Sequence, residues 1–165
     1  MSSWVINASP LILLGKIDRL ALLEALQPNF VIPVSVKLEV LAGPTGDVAR
    51  DWIQTGRIQK RVINDAIPHV SVLAWDLGAG ETAVISWALA NPGAWSVLDD
   101  LAARTCAQIF GVPVLGTLGI LLRAKRVGLI TTLRPELEHL LQAGSLLSSA
   151  LIDEALRLAG ELPDL

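Results

Sequence analysis

Short apolar runs alternate along the chain with stretches in which leucine, valine and isoleucine recur at helical spacing. Trp4-Val5-Ile6 is the first run, and it ends at Asn7-Ala8-Ser9-Pro10. Pro10 suits the first turn of a helix, where its missing N–H costs nothing, and Ser9 before it reads as an N-cap. Leu11–Lys16 and Asp18–Leu26 then carry helix-period leucines. Asn29–Ile32 reads as a second strand closed by Pro33, and Val34–Ala42 as a helix stopped by Gly43-Pro44. Gly46–Thr55 follows as a polar helix with Trp52 on one face, whereas Ile58–Ile63 and Val70–Trp75 alternate too weakly to assign. After Gly78-Ala79-Gly80 comes an apolar helix, Glu81–Ala90, and then a buried strand, Trp95–Leu98, running into Asp99-Asp100. Leu101–Phe110 is helical, Val112–Leu115 a short strand and Leu118–Arg126 a helix; two more helices, about Arg134–Ala143 and Ser148–Gly160, complete the pattern.

Strands alternating with helices predict a parallel sheet joined by right-handed crossovers. The fold class expected is therefore α/β, and in such sheets a ligand site lies beyond the carboxyl ends of the strands. The chain has 165 residues, which fits one domain, and 52% of them are hydrophobic against 18% charged. A core so rich in Leu, Val, Ile and Ala suits a sheet covered on both faces. No internal repeat, linker or low-complexity tract interrupts residues 1–165.

Charge narrows the function. Thirteen Lys+Arg against 16 Asp+Glu leave a net charge of -3. A tight, non-specific duplex binder needs a basic surplus to neutralise phosphates, so that class is disfavoured. Cys106 stands alone, which permits no internal disulfide and no zinc-ligand cluster. A reducing cytoplasm is the expected location. Two charge-free stretches, Thr82–Leu98 and Thr105–Leu122, approach the roughly 18 apolar residues of a membrane span. Asn91-Pro92-Gly93 breaks the first, and Gly111, Pro113 and Gly116 break the second. Met1-Ser2-Ser3-Trp4 lacks the basic flank of a signal peptide, so a soluble protein without membrane contact is expected.

Most acids fall on helix faces where solvent explains them, but four do not. Asp99 and Asp100 project from the end of a buried strand, Glu39 lies among Val36, Leu38, Val40 and Leu41, and Glu81 opens a nearly all-apolar helix. Capping accounts for one of the two aspartates, the helix dipole for Glu81 and a solvent-facing position for Glu39. The competing account joins all four: carboxylates converging in a cleft repel one another and stay ionised only around a cation. His69 and His139 are isolated, and each reads as a surface or a satisfied histidine. An all-oxygen donor set favours Mg²⁺ or Mn²⁺ over zinc.

These stretches resemble the PIN-domain family, in particular its compact prokaryotic branch of toxin-like ribonucleases. The resemblance is carried by Val5-Ile6-Asn7-Ala8-Ser9-Pro10-Leu11-Ile12, by Val31-Ile32-Pro33 through Glu39, and by Gly80-Glu81-Thr82-Ala83. Val97-Leu98-Asp99-Asp100 with Arg104, and Val114-Leu115-Gly116-Thr117-Leu118-Gly119, complete it. It extends to about Ile130, with the last two helices (about 134–160) packing on the domain or forming an oligomer face. The resemblance implies a three-layer α/β/α fold with a central parallel sheet of four to five strands. It also implies a metal-dependent endoribonuclease acting on single-stranded RNA, with a small antitoxin protein as partner; a homodimer is expected separately, from the apolar carboxy-terminal helices. Carried over by position, Glu39, Glu81, Asp99 and Asp100 become catalytic candidates. Asn7, Glu81, Asp99 and Asp100 become the ligands of Mg²⁺ or Mn²⁺, and Ser9, Arg104 and Thr117 position substrate or water. The chain departs from the family at Asn7, where the motif usually starts with Asp; an amide offers a carbonyl oxygen without formal charge. Arg57, Lys60 and Arg61, or Arg123, Lys125 and Arg126, are candidate guides for an RNA backbone. The alternative function is a PIN-fold module that binds RNA or protein without cutting. A doubly wound nucleotide binder is disfavoured, because neither GxGxxG after the first strand nor GxxxxGK[ST] occurs.

Overall fold

The computed structural model describes residues 2–165; Met1 lies outside the described residues. Strand β1 (Trp4–Ile6) leads through Asn7 into α1 (Ala8–Lys16), and α2 (Ala21–Leu26) brings the chain back to β2 (Ile32–Pro33). Three helices, α3 (Val34–Leu41), α4 (Val48–Ile53) and α5 (Gly56–Gln59), precede β3 (Val62–Ile63). Helices α6 (Val70–Leu73) and α7 (Ala79–Ala90) cross to β4 (Trp95–Val97), and α8 (Leu101–Ile109) connects it to β5 (Val114–Leu115). The chain finishes with α9 (Thr117–Arg126), α10 (Arg134–Gln142) and α11 (Ser149–Leu158).

All pairings are parallel. Strands β1, β4 and β5 form one sheet with Trp4 opposite Trp95 and Val97 opposite Leu115, and β2 pairs with β3. A single bridge between Val5 and Val31 sets the second pair beside the first, giving the spatial order β3-β2-β1-β4-β5. The α/β/α expectation holds. Neighbouring residues of β1 point to opposite faces, yet Trp4, Val5 and Ile6 are all buried, so both faces are covered. One apolar cluster runs from Trp4 to Leu156, taking in Leu137 and Leu140 of α10 and Ala155 and Leu156 of α11.

Several local expectations shift. The second strand starts later than Asn29, because only Val31 bridges β1 and only Ile32 and Pro33 face β3. The stretch Ile58–Ile63 resolves into the end of α5 and a two-residue strand, and Val70–Trp75 into the single turn α6. Ser9 is not the N-cap of α1. Asn7 takes that position in extended backbone, which leaves Ser9 inside the first turn with its hydroxyl free for Asp99.

The basic clusters are largely engaged in structure. Arg61 lies 4.3 Å over the Phe30 ring, and Arg57 pairs with Glu24 at 3.2 Å. Arg123 sits 4.8 Å over Trp95, while Lys125 pairs with Glu161 at 3.7 Å. No helix among the described residues is long and apolar enough to cross a membrane.

Candidate active site

Strand β1 lies between β2 and β4; the chain runs outward from β1 through β2 to β3 and then crosses back to β4, so the strand order reverses beside β1 and a crevice opens at the carboxyl edge. Asn7 stands there. Its backbone N–H donates to the Val97 carbonyl at 3.1 Å, which ties the residue to the end of β4. Its side chain is only 4% exposed, and Oδ1 is buried with no hydrogen-bond partner. A buried carbonyl left unpaired costs about 1–3 kcal/mol, so this atom calls for a donor or a cation.

The acids of this edge fall into two sets. On one side, Glu39 of α3 accepts a hydrogen bond from the Gly80 N–H at 2.9 Å, and Glu81 turns back onto the Gly78 N–H at 3.2 Å. Burial pushes the Glu81 carboxyl above its ordinary range; the Gly78 bond opposes this, and the charges of Asp100 and Glu39 add to the rise. Glu81, Asp100 and Glu39 therefore share one electrostatic neighbourhood. On the other side, Asp99 accepts from the Thr117 N–H at 2.8 Å, from Thr117 Oγ1 at 2.7 Å and, at 3.5 Å, from Ser9 Oγ. Asp99 thus locks the end of β4 to the start of α9. Asp100 caps α8 through the Ala103 N–H at 3.0 Å, as the capping account of the pair anticipates for one of them.

Arg104 lies in the first turn of α8. Its Nη1 donates to the Leu98 carbonyl at 2.9 Å, and among the described residues it forms no ion pair with either neighbouring aspartate. It lines a groove of about 800 Å³ together with Ser9, Asp99, Asp100 and Thr117; the far end is walled by leucines such as Leu118 and Leu146. Arg104 is the sole basic side chain in that lining. Glu39 and Glu81 lie outside it, on the α7 side of the crevice. His69 and His139 are both exposed, and neither joins the site.

Among the described residues, no three His, Cys, Asp or Glu side chains form a ready-made metal cage. The physical reason is visible in the bonds above: each of the four acids is turned onto a backbone N–H. The chemistry of the donors fits a hard divalent cation, since a buried unpartnered amide oxygen lies beside carboxylates and no sulfur or imidazole is near.

Two residues of this edge escaped the sequence reading. A side chain at Gly80 would meet Glu39 and Asn7, and one at Gly116 would meet Arg104 and Asp99. In sequence both glycines look like chain breaks. The only available signal was that a glycine inside a helical or strand-turn-helix pattern asks for a packing reason.

The fold and this edge define a three-layer α/β protein with an acidic crevice at the carboxyl ends of its strands. The family model of the PIN domain matches residues 3–161, and the chain belongs to the PIN-domain family. PIN domains are generally nucleases and typically use divalent metals. No curated protein and no solved structure matches the chain.

Proposed function

We propose that the protein is a metal-dependent endoribonuclease that hydrolyses phosphodiester bonds of single-stranded RNA. The observation that carries this reading is the unpartnered, buried Oδ1 of Asn7 beside Glu39, with the Glu81 carboxyl raised by burial and, to a lesser degree, by the charges of Asp100 and Glu39. Such a cluster is stable in its ionised form only when a cation shares it. Asn7, Glu81 and Asp100 hold that cation, Mg²⁺ or Mn²⁺. Asp99 adds its charge alongside, with three of its roughly four acceptor sites already filled by Thr117 and Ser9. When bound, the ion supplies a lowered water pKa and charge neutralisation at a phosphate oxygen.

The chain's own groups do the rest. Glu39 orients the attacking water, Arg104 meets the substrate phosphate, and the Ser9 and Thr117 hydroxyls keep the Asp99 carboxylate aimed. In this reading the protein is a cytoplasmic toxin and a homodimer, restrained by a small antitoxin protein. Support for a protein partner is the leucine-walled arm of the groove next to the acids, which includes the exposed Leu146 and Leu151.

Purified protein should degrade a fluorogenic single-stranded RNA when Mn²⁺ is added, and Asp100→Asn should abolish that activity. Unchanged cleavage after Asp99, Asp100 and Glu81 are all neutralised sinks the proposal. The second reading, a PIN-fold binding module, draws on Asn7 at a position usually acidic and on the missing ready-made cage. A titration separates the two, because a module that retains RNA or protein binding has no need to take up Mn²⁺.

A further inference from the structure

Two glycines face the site with bare backbone from opposite walls. A Cβ at Gly80 would lie 2.7 Å from Glu39 Oε1 and 3.0 Å from Asn7 Oδ1. A Cβ at Gly116 would lie 2.7 Å from Arg104 Nη1 and 3.1 Å from Asp99 Oδ1. Non-bonded heavy atoms settle at roughly 3.5–4.0 Å, so neither position has room for a methyl group.

Backbone conformation does not explain glycine at either place. Gly80 lies within α7, and Gly116 has φ -104° and ψ 175°, ordinary extended backbone open to any residue. Inside a helix, glycine is the poorer choice than alanine. Close packing of the core does not explain them either. At Gly15 the obstacle is the backbone nitrogen of Ala49, and at Gly119 it is the core side chain of Leu115. At Gly80 and Gly116 the nearest obstacle is the tip of a long, flexible side chain belonging to the proposed site. A methyl group there would push the functional group aside and leave the fold standing.

We infer that Gly80 and Gly116 are positioning residues of the active site. The missing side chain at 80 leaves room for the Asn7 oxygen to face the cation and for the Glu39 carboxylate to sit beside it over the water it orients. The missing side chain at 116 seats the Arg104 guanidinium in the groove for substrate phosphate. Arg104 suits that task because the Leu98 carbonyl fixes one nitrogen while no carboxylate pairs with the group. The inference rests on the reading of the protein as a metal-dependent ribonuclease.

The two glycines should separate two kinds of binding. Mn²⁺ affinity is measured by electron paramagnetic resonance, and RNA affinity by fluorescence anisotropy of a short labelled oligouridine in EDTA. Gly80→Ala should weaken Mn²⁺ binding roughly 10–100-fold, the usual consequence of disturbing groups that orient ligands, and leave oligouridine binding intact. Gly116→Ala should weaken oligouridine binding about tenfold, as the loss of a hydrogen bond to a charged group does, and leave Mn²⁺ binding intact. Arg104→Ala added to Gly116→Ala should cause no further loss. Gly56→Ala, at a glycine with open space around it, serves as the neutral control. Melting temperatures of both site variants should match or exceed that of the parent.

Equal loss of both ligands in both variants, together with lower melting temperatures, would assign the glycines to packing and overturn the inference. So would unaltered Mn²⁺ binding in Gly80→Ala or unaltered oligouridine binding in Gly116→Ala. A parent protein that takes up no Mn²⁺ removes the ribonuclease reading and this inference with it. A parent that binds Mn²⁺ while Gly80→Ala binds it equally well removes the inference alone.

Discussion

Replacing Asp99 asks whether its carboxylate mainly holds the fold or mainly waits for a cation, and the two roles predict opposite signs of stability change without metal. The Thr117 N–H at the start of α9 has Asp99 as its partner, and removing such a helix-start acceptor costs about 0.5–2 kcal/mol. Thr117 is 2% exposed, so its hydroxyl, now bonded to Asp99 Oδ2, loses its partner out of reach of water, a further ~1–3 kcal/mol. Asp99→Ala should therefore lower unfolding stability by about 2–4 kcal/mol. Asp99→Asn should cost about 1 kcal/mol, because one amide oxygen can still accept the Thr117 N–H. Urea unfolding in EDTA, followed by circular dichroism, measures both. In the same assay Glu81→Gln should leave stability unchanged or raise it, because burial and the charges of Asp100 and Glu39 all oppose an ionised Glu81. If Asp99→Ala is as stable as the parent in EDTA, or more stable, Asp99 behaves as one of a set of repelling ligands and the reasoning fails.

Two further outcomes concern the carboxy-terminal helices. The Glu161 carboxyl loses solvation on burial, but hydrogen bonds from the Leu133 and Arg134 N–H groups and the nearby Lys125 outweigh this and hold it below its ordinary range. Its stabilising contribution is thus complete above the unfolded-state value and disappears as pH falls through the lower folded-state value. Glu161→Gln should be less stable by about 1–2 kcal/mol at neutral pH, and a gap that stays constant into acid would contradict this. Arg19 holds the buried Glu136 through two bonds of 3.0 and 2.7 Å. Arg19→Ala should lower stability toward the lower side of the ~3–5 kcal/mol that orphaning a buried ion costs, since the Arg19 side chain is 39% exposed. Thermal unfolding checks it, and a loss under about 0.5 kcal/mol, typical of a surface pair, would refute it.

The fold was legible wherever one local signal sufficed. Trp4-Val5-Ile6 and Trp95-Ser96-Val97 are short apolar runs that end in polar residues, and both are central strands. Where a strand owes its existence to its neighbour, the signal fades: β3 is two residues long and is held by its pairing with Ile32 and Pro33, which the weak alternation around Val62 could not reveal. The candidate site shows the same division. Asp99, Asp100, Glu39 and Glu81 stand out because acids at a strand end or on an apolar helix are costly. The bonds each one makes depend on contacts between residues as far apart as Ser9 and Asp99, so local sequence points to an N-cap at Ser9 where the structure has Asn7, and does not disclose the partner of the Ser9 hydroxyl. The contacts of the basic clusters were hidden for the complementary reason. Arginine spacing on a helix does not disclose that Phe30 or Trp95 lies beneath the guanidinium.

Cys106 lies on the inner face of α8, fully enclosed in the apolar cluster, and burial raises its thiol above the ordinary value. As the lone thiol of the chain it is a built-in stopwatch for the core. A water-borne sulfhydryl reagent can label it only during moments when α8 lifts from the sheet, so the labelling rate counts those excursions one by one. The helix that carries Arg104 and is capped by Asp100 is thereby fitted with its own clock, and any ligand that steadies the acidic edge should slow it.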